Sequence, residues 1–190
     1  HSGGMSTLRI DPTPGWAEAL VDRAAEEATA RNLIGQLVAC EVAALAFCRL
    51  LERWARGEAE PATAGKRQAA LRRAAERVET ALVGLERPLG RYLLELEPDQ
   101  AEGRSWYGEP GPAELMDWGP VLRRAGVCVA SHRVAQVYLE LAVLVRALEG
   151  LTTAVRMDSA PDRSSLWAGL FDLRENLLGG TLEDLRALAA

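Results

Sequence analysis

The stretch Leu33-Ile34-Gly35-Gln36-Leu37-Val38-Ala39-Cys40-Glu41-Val42-Ala43-Ala44-Leu45-Ala46-Phe47-Cys48 decides the fold class. It has no period-two alternation, and Ala and Leu, strong helix formers, dominate it. Laid on a helical wheel it is apolar on almost every side. It falls short of the roughly 20 apolar residues that a bilayer span needs, and it carries Gln36 and Glu41. It therefore reads as a helix buried inside a protein, covered on most sides by other elements.

Outward from this stretch the pattern stays helical. Thr13-Pro14 is a start signal, with Thr capping and Pro at the first helical position. The first region runs to about Arg56 and stops at Gly57. The sequence leaves open whether it is one helix or breaks near Arg31-Asn32. A second region spans about Ala64 to Leu96, with Leu71, Val78, Leu82, Leu85, Leu89 and Leu96 on one face. That phase continues through Gly84, Pro88 and Gly90, which predicts a kinked but continuous helix. Residues 98–112 form a long Gly/Pro-rich loop. A short helix at about Ala113–Arg124 and a long one at about Val127–Val155 follow. Another helix runs from the loop at residues 158–161 to about Leu178, where Gly179-Gly180 stops it. Thr181 with Asp184 resembles a capping box for a last short helix. The expectation is an all-α antiparallel bundle of four to six helices, with the first region, or its second half, and the 127–155 helix at its centre.

His1-Ser2-Gly3-Gly4-Met5 reads as a cloning scar before a native Met5, so residues 1–12 are set aside and 13–190 are expected to form one helical domain. A 190-residue chain is of single-domain size. A net charge of −5 makes it a poor binder of polyanions as a whole. Three cysteines, Cys40, Cys48 and Cys128, all lie in apolar surroundings and cannot close a disulfide framework. They read as reduced core residues of a cytoplasmic protein. Heavy use of Ala, Arg, Gly and Leu points to a high-GC, bacterial source. No membrane span is expected.

Residues that could carry chemistry are few. Glu41 lies on the wheel among Ile34, Leu37, Leu45 and Cys48, where a lone carboxylate is penalised. His132, Arg133 and Arg146 on the other long helix are its candidate partners, with Arg49 on its own. The group could mark a ligand or polar site in the bundle, or only an ion pair that sets register. His132 is the single histidine beyond the N-terminal scar, too few for a zinc site or for paired Glu-x-x-His motifs. No metal site and no cofactor is expected, and no nucleotide loop or hydrolase motif occurs. Lys66, Arg73, Arg77 and Arg91 form a basic strip. It could contact phosphate, or it could be a solvated face balanced by Glu60, Glu76, Glu79 and Glu86. The acidic run Glu95, Glu97, Asp99 and Glu102 could answer it in a neighbouring subunit. Trp106 and Tyr107, in the polar loop, could anchor a protein interface or plug the bundle end.

Ser105-Trp106-Tyr107, then Gly126-Val127, then Ser131-His132 leading into Tyr138-Leu139-Glu140-Leu141 resembles the all-helical maturation chaperones of molybdenum oxidoreductases. Those proteins carry a Ser-aromatic loop followed by an Asp-His that opens a helix. Here Ser131 stands at the acidic position, and the likeness covers a small part of the chain. The resemblance implies a chaperone for a redox enzyme as a second function to weigh.

The leading expectation is a non-enzymatic helical interaction protein, such as an adaptor, assembly factor or small subunit, that binds a protein partner and self-associates as a homodimer. Two further functions are compatible with these residues. One is a small-molecule or cofactor-binding bundle with a polar site at Glu41, and the other is a nucleic-acid accessory subunit using the arginine strip.

Overall fold

The structure, a computed structural model, describes residues 16–58, 61–96, 132–157, 163–176 and 180–190. Among these lie five helices and no strand: α1 Trp16–Ala55, α2 Ala64–Leu96, α3 His132–Met157, α4 Arg163–Asn176 and α5 Leu182–Ala189. The all-α bundle read from the sequence is the observed architecture. The loop at 98–112 with Trp106 and Tyr107, the helix expected at 113–124, Cys128 and the Thr13-Pro14 cap lie outside the described residues.

α1 runs unbroken through Arg31 and Asn32 for 40 residues. Gly57 ends it. With φ at +75° this glycine takes the left-handed conformation that side-chain-bearing residues resist. Its N–H bonds the Trp54 carbonyl at 2.9 Å and the Glu58 N–H bonds that of Arg53 at 2.9 Å, which satisfies carbonyls that the helix end would orphan. Thr63 opens α2, its Oγ1 accepting from the Lys66 N–H at 3.2 Å. α2 passes through Pro88 without ending. Proline removes one ladder bond there, but Leu82, Leu85, Leu89, Leu93 and Leu96 stay buried on one face, so packing holds the helix in register.

Side-chain bonds fix the directions. The Thr29 hydroxyl donates to Glu95 at 3.1 Å, and Gln36 Nε2 donates to the Ala81 carbonyl at 2.8 Å, so α1 and α2 are antiparallel. The Tyr138 hydroxyl donates to Glu52 at 2.9 Å, near the end of α1. α1 stops at Ala55, so α3 can keep packing on it only by running back antiparallel. α1 packs against α2 and α3, and α4 and α5 pack against the same two helices. The order is thus α1 on one side, α2 and α3 between, and α4 with α5 beyond. Buried residues of all five helices form one apolar cluster, including Leu37, Phe47, Leu85, Leu141, Leu170 and Leu185.

Two expectations are corrected here. Among the described residues α1 is covered on two sides, by α2 and α3, and is not enclosed as a central helix would be. Within that set one sector of its wheel stays open, and Gly35, Ala39, Val42 and Ala46 are exposed. The Thr181–Asp184 capping box does not form. Thr181 is itself helical, at φ −64° and ψ −42°, and makes no capping bond, because a chain already helical at that residue cannot turn its hydroxyl onto the following N–H groups. Asp184 instead faces α3.

α1 also outruns its neighbours. Thr29 meets Glu95 one residue before α2 ends. Residues 16–28 therefore project past that end by about 20 Å at 1.5 Å per residue. On this overhang Leu20 and Val21 are 54% and 68% exposed.

Candidate interaction face on α1 and α2

A groove of about 790 Å³ runs between α1 and α2. Ala39, Val42, Ala46 and Leu50 line it from α1, and Ala70 and Ala74 line it from α2. The groove exists because these side chains are too short to fill the notch between two helices. Its polar lining consists of three arginines, Arg53, Arg73 and Arg77, all exposed. A shallower depression beside it brings Glu76 and Thr80 next to Arg73 and Arg77. Two members of the predicted basic strip thus border an apolar groove. Lys66 and Arg91 are exposed elsewhere on α2.

The groove continues into a stripe along the outward side of α1. Val21, Ala28, Gly35 and Val42 recur every seventh residue, as do Ala25, Asn32, Ala39 and Ala46, and all eight are exposed. Seven-residue spacing is that of a seam where one helix meets another. Val42, 62% exposed, sits mid-stripe. Gly35 lies at the midpoint of α1 and is exposed, and a Cβ built there would meet nothing within 4 Å. Glycine inside a helix costs about 1 kcal/mol relative to alanine. Nothing in the packing of the described residues calls for that cost. By length and composition alone, Glu27–Ala55 could also cross a membrane, at a mean hydropathy of 1.7. Only a third of its most apolar window is buried, a second measure of how much of α1 is left uncovered.

Glu41 forms no bond with the partners expected for it. Glu41 is half-buried on the side of α1 that turns toward α3, with no hydrogen bond or ion pair to the described residues. Arg146 is exposed on α3. His132 and Arg133, both exposed, sit at the first turn of α3. Tyr138 meets Glu52, so His132 lies several turns from Glu41 along the bundle. Cys40 and Cys48 are buried as expected. Cys40 Sγ donates to the Ala81 carbonyl at 3.1 Å, and burial pushes both thiols up to about 12, for Cys48 with a further push from the Glu52 charge. Such thiols are protonated at neutral pH and poor nucleophiles. Among the described residues no three His, Cys, Asp or Glu side chains converge on a point where a metal could sit.

One group of residues escaped the sequence reading. Glu140 of α3 lies beside the Asp184 carboxyl of α5, and Gln136 Nε2 donates to Glu140 Oε1 at 3.4 Å, while the buried Oε2 has no hydrogen-bond partner of its own among the described residues. Burial first, then the neighbouring Asp184 carboxyl, push the Glu140 carboxyl up to about 7. A second carboxyl group so near disfavours the ionised form of Glu140, because two adjacent charges repel. Nearby, Arg186 Nε donates to Glu79 of α2 at 2.8 Å, tying α5 down on its other side. The α1 stripe escaped as well. Its signal was present, a mid-helix glycine among small residues at seven-residue spacing, but an all-round apolar wheel does not say which side stays bare.

No protein-family model, no curated protein and no solved structure matches this chain.

Proposed function

We propose that this chain is a non-enzymatic interaction protein whose contact surface is the outward stripe of α1, and that the occupant of this surface is a helix of another protein molecule. The observation that carries the reading is the stripe itself: small apolar residues, with Asn32 among them, at helix-pairing spacing, and Val42 62% exposed at its middle. Small residues let a second helix backbone approach closely, so dispersion contacts accumulate along the whole seam. A lipid surface fits less well, because Arg49, Arg53 and Asn32 interrupt the same side of α1. A small molecule also fits less well, since the groove is walled by alanines and lacks converging polar groups beyond its arginines.

The test places a photo-crosslinking side chain at position 42 and irradiates the purified chain, alone and in cell extract. The expected outcome is cross-linking to a specific protein, this chain or another, that is abolished by Ala39→Arg with folding unchanged by circular dichroism. If every product survives Ala39→Arg, or if only lipid is labelled, the reading fails. A second reading, nucleic-acid binding by the arginine strip, finds less support, because Glu76 sits beside Arg73 and Arg77. It would need binding that weakens steeply with salt.

A further inference from the structure

We infer that the helix occupying the α1 stripe is α1 of a second copy of this chain, laid antiparallel across it with the two-fold axis beside Gly35. The inference rests on the reading of α1 as a helix-docking surface and narrows its occupant.

Four observations converge on it. The stripe is self-complementary in register. Antiparallel pairing about Gly35 sets Ala28 of each copy opposite Val42 of the other, and Val21 opposite Arg49, following from positions on one regular helix. Small residues then meet small residues along the central part of the seam, and the long arginine stems cover the apolar ends. The glycine comes next. Gly35 has open space among the described residues and is a burden to its helix, yet in this arrangement it sits at the crossing point, where two helix backbones approach most closely and where a side chain from each copy would collide. The third observation is the overhang. Residues 16–28, with Leu20 and Val21 exposed, project past α2 and cover none of the other described helices. In the antiparallel pair each overhang lies along residues 42–54 of the other copy, which the bundle supports from behind.

Charge fixes the direction. The sequence of residues 16–34 holds Glu18, Asp22, Glu26 and Glu27 against Arg23 and Arg31, whereas residues 35–57 hold Arg49, Arg53 and Arg56 against Glu41 and Glu52. A parallel pair would set Arg49 on Arg49 and Arg53 on Arg53. The antiparallel pair brings the acidic end of each helix to the basic end of the other and also opposes the two helix dipoles. The contact is isologous, so it closes at two copies and does not propagate into a fibre. A seam running most of the length of α1, with the overhangs resting on the opposite bundles, is of the extent that a standard interface needs.

The experiment uses the full chain. Sedimentation at tens of micromolar should give a dimer, and Gly35→Leu, at an exposed site with unchanged circular dichroism, should weaken dimerisation by about tenfold or more. In the pair Ala28→Cys/Val42→Cys, mild oxidation should join position 28 of one copy to position 42 of the other, while Val21→Cys/Val42→Cys, one heptad out of register, should join poorly. Buried Cys40 and Cys48 stay out of this reaction, and both pairs are built in a Cys128→Ser background. A monomer at these concentrations overturns the inference, as does a dimer indifferent to Gly35→Leu or one that joins 28 to 28 and 42 to 42. A monomer whose position 42 still captures a different protein, lost with Ala39→Arg, would remove the second copy as occupant and leave the docking function standing.

Discussion

Individual residues of this chain carry their reasons in what their side chains, or their absence, would touch. Gly84 and Gly90 both interrupt α2, yet they differ. A Cβ at Gly84 would come within 2.6 Å of Gln36 Nε2, whereas one at Gly90 meets nothing within 4 Å. Gly90→Ala should therefore stabilise the protein by about 0.5–1 kcal/mol, the ordinary helix gain. Gly84→Ala should gain little or nothing, because the same methyl pushes away the amide that donates to the Ala81 carbonyl, a bond worth about 1 kcal/mol. Urea denaturation of the two variants, repeated for Gly84→Ala in a Gln36→Ala background, checks this. In that background the alanine gain at position 84 should reappear. The thiols give a second residue-scale test. Cys40 and Cys48, with thiols pushed up to about 12 by burial, should resist alkylation at mildly alkaline pH in the folded protein and react once denatured. Peptide mapping reads both sites. Their inertness was legible in the sequence, since an apolar setting suffices to bury a thiol. The Gly84 contact was not, because its partner stands on another helix.

At the scale of elements, α5 is the one whose attachment depends on protons. Eight residues bury Leu182, Leu185 and Leu188, and its flanks meet α2 through Arg186–Glu79 and α3 through Asp184–Glu140. The Glu140 carboxyl ionises at about 4.5 when free and is pushed up to about 7 in the fold. Between those values the folded chain holds a proton that the unfolded chain releases. The contribution of the pair is therefore fully present below about 4.5 and declines as pH rises through about 7, the reverse of the ordinary salt-bridged carboxylate. Glu140→Gln should flatten this decline, which chemical denaturation at a series of pH values measures. Hydrogen exchange should show α5 amides losing protection first on the alkaline side. The elements themselves were largely readable beforehand. The α2 limits at Ala64 and Leu96 and its passage through Pro88 follow from a leucine face that keeps phase. The expected capping box failed because Thr181 and Asp184 satisfy a local pattern, whereas the partner of Asp184 is set by how α5 lies on α3.

Across the whole molecule, two residues five apart on α1 measure how the bundle divides inside from outside. Phe47 is fully buried, and Phe47→Ala should cost about 3–5 kcal/mol in unfolding free energy. Val42 is 62% exposed, and Val42→Asp should change the stability of the single bundle by less than about 0.5 kcal/mol while abolishing association through α1. Unfolding curves at low concentration, set against sedimentation, separate the two effects. Their contrast also marks the boundary of what the chain discloses by itself. Helix-forming composition, end signals and the absence of alternation determined an all-α protein and the limits of most of its helices, because these depend on contacts within a few residues. The apolar wheel of residues 33–48 determined that α1 must be covered, but not by what. Only the tertiary structure decided that, among the described residues, α2 and α3 take two sides and leave Gly35, Ala39, Val42 and Ala46 exposed. Only it decided that Glu41 stands apart from His132 and Arg133 while Glu140 meets Asp184. The physical reason is that burial and proximity between helices are set by the order in which they pack, and in that packing one helix face can be satisfied by its own chain or left for another molecule.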